Sequence, residues 1–470
     1  MMIEVDTIAA LASAPGVGAL AVVRISGPDA FGVLQRVTRT DAIPEARVAT
    51  LLTVIHPATG TRADQVLATA FPCPASYTGE DVVELSGHGG TLAPALVLDA
   101  VLSAGARQAE PGEFTRRAWL NGKLDLLQAE AVHDLIEGRS LAAHRTALHQ
   151  LDRGLSARVD HLRNGLIGLE ALLVHHIDFP EEDDAPTPLA EIAVRAGALV
   201  AELDALAGTA AEGVLLRRGA LVVLAGVPNA GKSSLLNALA GEERALVTEI
   251  AGTTRDAIEV EVSLGGFPFR LVDTAGLRET DQLIEQMGIE VAERYLGAAD
   301  LVIWCTDTTG PELDSAAVVA ALSTRAGAPI VRVRTKADLE DASTALGSTE
   351  SSRWLAGEAR GTGVAADIRV SVISGRGLAE LRTLLPSLVF RGLVSTSDTV
   401  PVLTRERQSR AVRTAASEVR EFSSALTDGV PAEVASAHLK SATTALEELL
   451  GIVTEDDVLD AVFRSFCVGK

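Results

Sequence analysis

Apolar positions along the chain change their period twice and then change back. Up to residue 120, short apolar runs alternate with turn residues, which predicts strands at 19–25, 49–55, 65–71 and 81–85 and a helix at 92–103. From Leu124 the period lengthens, with Leu124, Leu127, Ala131 and Leu135 on one helical face, and amphipathic segments continue to about His176. An acidic, proline-bearing patch at 178–188 interrupts them, and a further helix is predicted at 189–212. The run 221–225 is apolar and bare of charge, the pattern of a strand buried on both faces of a parallel sheet. Further strands are expected at 269–272, 301–305, 330–334 and 368–372, spaced by helical segments, which together describe a doubly wound α/β domain. After 385 the chain is helical again, at 404–426, 431–450 and 454–466. Helices on both sides of an α/β unit suggest an insertion into one helical domain, with two separate helical domains as the alternative. The expected boundaries are 1–120 (mixed α/β), 121–216 (helical, first part), 217–385 (inserted α/β) and 386–470 (helical, second part).

Composition narrows the function classes. With 470 residues, 47% of them hydrophobic, the chain is long enough for two to four domains with real cores. No apolar run approaches the ~20 residues of a membrane span, and the N-terminus lacks a secretory pattern, so a soluble cytoplasmic protein is expected. Cys73, Cys305 and Cys467 are too far apart for zinc spacing or a disulfide framework, and two of them are expected to be ordinary buried residues. His175, His176 and Asp178, at a helix end, read as solvated rather than metal-ligating. A net charge of −22 excludes a general nucleic-acid surface, so any RNA contact must be local or shared with a partner. Of 41 basic residues only Lys123, Lys232, Lys336, Lys440 and Lys470 are lysines. Where arginine is the default cation, each lysine invites a specific explanation.

The strand at 221–225 runs into GVPNAGKSS. Gly226, Gly231, Lys232 and Ser233 fit the phosphate-binding pattern G-x-x-x-x-G-K-[ST] between a strand and a helix. Glycines let successive N–H groups point at phosphate oxygens, Lys232 reaches the β- and γ-phosphates, and Ser233 offers a hydroxyl to Mg²⁺. Downstream come GTTRD (252–256), DTAG (273–276) and TKAD (335–338), in the order of GTPase switch and base-recognition elements. Thr254 can give Mg²⁺ a second hydroxyl, and Asp273 can hold its water shell. Asp338 can accept both N–H donors on the guanine edge, with the Lys336 stem against the ring. The GTP contacts expected at these motifs are Asn229, Ala230, Gly231, Lys232, Ser233, Ser234, Thr253, Thr254, Asp273, Thr274, Ala275, Gly276, Thr335, Lys336 and Asp338, to which the resemblance that follows adds Thr248 and Ser371. Leu277 follows Gly276 where Ras-like proteins have a water-orienting glutamine, so catalysis must draw on another residue. Arg255, Arg278 and Glu285 are the candidates, and spacing does not choose among them.

GVPNAGKSS, IAGTTRD, DTAGLRE and the closing FCVGK, together with SYTGEDVVELSGHGG (76–90) and PGEFTRRAWLNGKLDL (111–126), resemble the MnmE (TrmE) family of bacterial tRNA modification GTPases over nearly the whole chain. The resemblance implies a folate-binding, dimerising N-terminal α/β domain and a helical domain carrying an inserted Ras-like P-loop G domain. It implies a K⁺-activated GTPase that works with the flavin-dependent partner MnmG (GidA) on carbon 5 of the tRNA wobble uridine. The group added is aminomethyl or carboxymethylaminomethyl, and the one-carbon unit comes from 5-formyltetrahydrofolate or a related tetrahydrofolate. Asn229, Thr248, Ile250 and Thr253 would hold K⁺ in place of an arginine finger, with Asn229 and Lys232 serving hydrolysis beside Glu285, which would orient the attacking water. Arg24, Glu84, Lys123 and Lys470 would bind the folate, with Cys467 nearby.

Three departures from the family pattern stand out. Near the start the chain reads PGVGA where relatives commonly read PGRGG; the base motif begins with Thr335 rather than asparagine; and SVIS (371–374) replaces the usual Ser-Ala-Lys/Arg. Two other readings remain: a ribosome-assembly GTPase, whose expected basic appendage is not visible, and a folate-dependent aminomethyl transferase with a regulatory G domain.

Overall fold

The computed structural model describes residues 6–178, 187–241, 259–273, 293–308, 315–339, 364–395, 400–453, 459 and 462–469. The chain divides into two compact units: Met1–His133, Leu151–Asn164 and Thr443–Lys470 form one, and Asp134–Gln150 with Gly165–Ala442 form the other.

In the first unit, β1 (Ile8–Leu11), β2 (Leu20–Ser26), β3 (Thr50–Ile55), β4 (Arg62–Phe71), β5 (Val82–His88) and β6 (Arg107–Gln108) make one sheet in the order β3-β4-β5-β2-β1-β6. Helices α1 (Ala30–Thr38) and α2 (Ala93–Ser103) cover it, and Val23, Ile25, Val33, Leu34, Val66, Leu85 and Val101 close a core between helices and sheet. Helix α3 (Glu113–Leu120) follows β6, and α4 (Leu126–Glu137) begins after the Asn121–Lys123 turn. The C-terminal tail packs in the same unit: Phe463 and Phe466 join Leu126 and Ala129, and Val468 bridges to Pro111. Gly112 (φ +71) permits that approach, because a Cβ there would stand 2.6 Å from the Phe463 carbonyl oxygen.

The second unit is built on β7 (Ala220–Ala225), β8 (Glu259–Leu264), β9 (Phe267–Asp273), β10 (Leu301–Asp307), β11 (Ile330–Thr335) and β12 (Ala366–Arg369), ordered β12-β11-β10-β7-β9-β8. All pairings are parallel except β8 with β9, so the sheet is doubly wound with an antiparallel edge strand. All six residues of β7 are buried, as their lack of charge requires. Its helices include α5 (Leu141–Leu151), α7 (Leu189–Gly208), α8 (Ala210–Arg218), α9 (Lys232–Gly241), α10 (Ser315–Ala326), α11 (Leu378–Val389), α12 (Arg391–Ser395) and α13 (Glu406–Thr427). Helices α6 (Gly154–Asp178) and α14 (Ala432–Leu450) have residues in both units, as do α4, which enters the second unit at Asp134, and α5, whose last residue, Leu151, belongs to the first.

The fold class is the expected one: mixed α/β, helical, and a doubly wound α/β sheet. Local details differ. The single helix expected at 189–212 is two, divided at Thr209, whose hydroxyl donates to the Leu206 carbonyl and accepts from the Leu403 N–H. The strand expected at 368–372 is Ala366–Arg369, because the chain turns back at Ser371, whose N–H donates to the Arg376 carbonyl. Only one cysteine is buried rather than two: Cys305 lies in β10, while Cys73 and Cys467 are exposed. Burial pushes the Cys305 thiol up to about 12. No described helix is long and apolar enough to cross a membrane.

Candidate active site

The phosphate loop sits where the central strand ends. Gly226 has φ +149, and a Cβ there would come within 2.4 Å of the Cys305 carbonyl oxygen on neighbouring β10, so the turn out of β7 admits only glycine. Gly231 (φ +76) faces Thr335 just before α9 begins at Lys232. The free N–H groups of that first helical turn and the helix dipole favour an anion in the loop. Lys232 is 5% exposed, and its Nζ donates to the carbonyls of Gly226 and Val227, each at 2.9 Å. Ser233 Oγ donates to Asp273 Oδ2 at 2.5 Å, which brings two of the three residues expected around Mg²⁺ together from α9 and β9. Asn229 is exposed at the loop's crest with φ +62. Ala230 is buried, and Ser234 is exposed on α9.

The base-recognition residues converge on the same end of the sheet. Thr335 is 3% exposed, and its Oγ1 lies 2.8 Å from the Ala230 carbonyl oxygen and 3.2 Å from that of Thr306. The hydroxyl therefore ties the base motif to the phosphate loop. Lys336 takes φ +58 and pairs with Asp307 at 2.5 Å. Ser371 Oγ donates to Asp338 Oδ1 at 2.6 Å and accepts from the Ser374 N–H, so SVIS supplies the hydroxyl that orients the specificity carboxylate. Sequence reasoning missed Asp307 and also Thr308, whose hydroxyl reaches the Thr335 and Lys336 carbonyls. Nothing in their local pattern marked them. Thr248, Ile250, Thr253, Thr254, Thr274, Ala275, Gly276 and Glu285 lie outside the described residues, as do Arg255, Leu277 and Arg278.

A second constellation occupies the first unit. Arg24 and Glu84 are cross-strand partners on β2 and β5, bonded from Nε at 2.9 Å and from Nη2 at 2.8 Å to one carboxylate oxygen. The Arg24 guanidinium carbon lies 5.3 Å from the Tyr77 ring centroid and 5.7 Å from that of Phe114, within cation–π range of both. Tyr77 is held by a 2.9 Å hydrogen bond to Thr115, and burial raises its phenol above the usual value. Tyr77 lies in SYTGEDVV and Phe114 in PGEFTRR, two stretches that carry the family resemblance, yet neither ring was singled out by the sequence pattern. Lys123 Nζ donates to the Pro74 carbonyl, and its stem lies against Gly79, so it borders the loop that carries Tyr77. Lys470 lies outside the described residues, but Gly469 passes so close to β1 that a Cβ would meet the Leu11 carbonyl oxygen at 2.2 Å. The Cys467 carbonyl accepts the Gly112 N–H at 3.4 Å, beside α3.

Beneath this group runs a charged network. Arg117, nearly buried, pairs with Asp6, Glu80 and Glu113, and Arg107 pairs with Asp6 and Glu113. Burial alone would raise the Asp6 and Glu113 carboxyls, yet the hydrogen bonds from these arginines hold both below their ordinary values. Glu80 also accepts from Ser26, which anchors the Tyr77 loop to β2.

A doubly wound sheet with a phosphate loop, a serine–aspartate pair suited to Mg²⁺ and an oriented guanine carboxylate defines a P-loop GTPase, here one with a separate antiparallel-rich α/β unit. A family model described as the MnmE helical domain matches residues 126–467, and one described as the GTP-binding protein TrmE N-terminus matches 7–123. A tRNA modification GTPase MnmE from Azoarcus sp. (strain BH72) is 43% identical over 465 residues, covering 99% of this chain and 98% of its own. Proteins of the same name from Moorella thermoacetica and Akkermansia muciniphila are 38% and 40% identical, each with 99% of both chains covered. The G domain of the T. maritima FeoB iron transporter covers 35% of this chain and 94% of its own at 27% identity, but with a TM-score of 0.24. The chain belongs to the MnmE family of tRNA modification GTPases, and it hydrolyses GTP in tRNA modification.

Proposed function

We propose that this GTPase is K⁺-activated and acts with a flavin-dependent partner of the MnmG type to modify carbon 5 of the wobble uridine, adding an aminomethyl or carboxymethylaminomethyl group. The observation that carries the reading is the phosphate loop with Asn229 at its crest, in a chain whose switch segment has Leu277 in the glutamine position. A leucine cannot orient water, so that role passes to another residue, and the negative charge developing on the phosphates needs a stabiliser of its own. The Asn229 carboxamide oxygen is a hard donor suited to K⁺, with Thr248, Ile250 and Thr253 as the other ligands on this reading, and Glu285 as the group that orients water. Mg²⁺ is held at Ser233 and Thr254, with Asp273 on its water shell; the Ser233–Asp273 approach fits that ion.

For the one-carbon donor, the residues of the first unit fit a tetrahydrofolate. Arg24, within cation–π reach of two rings and bound to Glu84, offers a fixed cation and carboxylate, and Lys123 and Lys470 add charge for an anionic tail. When bound, the folate supplies the one-carbon unit; the chain's own residues bind and orient it. The same reading takes 1–120 as the folate-binding and dimerising domain, with 217–385 inserted between helical parts 121–216 and 386–470, in a cytoplasmic homodimer. Nucleoside analysis of tRNA from a strain lacking this chain tests the modification: the modified wobble uridine is expected to vanish, and its persistence contradicts the reading.

A further inference from the structure

Helix α3 carries one ring of the Arg24 cage and holds the loop that carries the other. Phe114, on its first turn, is fully buried, with its ring centroid 5.7 Å from the Arg24 guanidinium carbon. The next residue, Thr115, bonds the Tyr77 hydroxyl at 2.9 Å. Further along, Arg117 Nη1 donates to the two Glu80 carboxylate oxygens at 3.2 and 3.3 Å. Asn121, which caps the helix, donates from Nδ2 to the Thr78 carbonyl at 2.7 Å. The loop is also tied to β2, where Ser26 Oγ donates to Glu80 Oε2 and meets Thr78 Oγ1, each at 2.7 Å. Tyr77 therefore stands between tethered residues, with its ring against the cluster of Ile8, Ala10, Ala109 and Phe114.

The Arg117–Glu80 pair contributes more geometry than stability. Its side chains are 9% and 20% exposed. Charges withdrawn from water to that extent regain by attraction about what they lose in hydration, so apolar residues of similar size would hold the loop at least as strongly. A guanidinium, however, is planar and aims its N–H groups in fixed directions, so Glu80 must lie where Arg117 points. Arg117 is aimed in turn by the Asp6 carbonyl at 2.9 Å, the Asp6 carboxylate at 2.5 Å and Glu113 at 2.9 Å. Contacts thus run unbroken from the start of β1 through Arg117 and Glu80 to the loop that sets Tyr77 beside Arg24.

We propose that Arg117 and Glu80 are positioning residues of the folate site, their pair fixing the 74–80 loop so that Tyr77 completes the Arg24 cage before the ligand arrives. The inference rests on the reading of the first unit as a tetrahydrofolate site. A cage set in advance spares the ligand the cost of ordering it, and losing that order weakens binding by about tenfold while the groups that touch the ligand stay in place. Asp6 separates positioning from a merely structural role: it belongs to the same network, but its carboxylate bonds run to Arg107 and Arg117 rather than to the loop.

The test uses the full chain labelled with fluorotyrosine. Tyr77 and Tyr295 are its two tyrosines, so in a Tyr295→Phe background fluorine NMR reports Tyr77 alone. Glu80→Gln and Arg117→Gln are each expected to move the Tyr77 resonance toward its solvent-exposed position and to weaken 5-formyltetrahydrofolate binding about tenfold by calorimetry. Asp6→Asn is expected to leave the resonance in place and the affinity within about twofold. Because the two residues act through one pair, Glu80→Gln/Arg117→Gln is expected to bind within about twofold of Glu80→Gln. If Arg117→Gln does not fold, Glu80→Gln against Asp6→Asn decides. An unmoved resonance and unchanged affinity in Glu80→Gln overturn the proposal, and so does an Asp6→Asn chain that loses as much affinity as Glu80→Gln. A wild-type chain that fails to bind 5-formyltetrahydrofolate brings down the folate reading and the proposal together, whereas the other two results leave the folate reading standing.

Discussion

The phosphate loop and the Arg24 cage are built in opposite ways. The loop is local: Gly226, Asn229, Gly231, Lys232 and Ser233 are near neighbours in sequence, and one strand end and one helix start set their geometry. The cage is assembled at a distance. Arg24 meets Glu84 through strand register, Tyr77 through a loop pinned by Glu80 to Ser26 and Arg117, and Phe114 through the helix that follows β6. A local site can be recognised by its pattern, whereas an assembled one depends on every element that positions it.

That contrast predicts how each responds to substitution. Lys232→Ala removes a nearly buried cation whose role is confined to the loop, so GTP turnover should fall by roughly a hundred- to a thousandfold while tetrahydrofolate binding is untouched. Loss of both activities would mean that the two regions are not separable in this way. Arg24→Ala should weaken 5-formyltetrahydrofolate binding by roughly ten- to a hundredfold, measured by calorimetry, with GTP turnover unchanged. Full retention of folate affinity would remove the cage from the site. Thr335→Val sharpens the comparison within the G domain, because it deletes only the hydroxyl that joins the base motif to the loop. GTP affinity should fall about five- to tenfold, the scale of one buried hydrogen bond. An unchanged affinity would make the tie incidental.

How much was legible follows from the same distinction. The buried strand β7, the turn after it and the order of the downstream motifs could be read because each is a short pattern with a chemical reason. Tyr77 and Phe114 could not be picked out, since their partner is Arg24, far away in sequence and reached only through register. Strand β8 was overlooked because Glu259 and Glu261 give it the charge of an exposed edge, and β1 because four residues carry too little period. The tie from Thr335 to Ala230 was hidden for another reason: the substitution of threonine for asparagine signals a change in the motif, while the carbonyl it reaches belongs to a different element.

K⁺ would act at the crest of the loop, where Asn229 stands in a chain with Leu277 in the glutamine position. GTP turnover measured in KCl and in NaCl at equal ionic strength tests it most directly. A potassium ion at the phosphates predicts a rate at least about tenfold higher in KCl, from electrostatic stabilisation; equal rates in the two salts would rule it out.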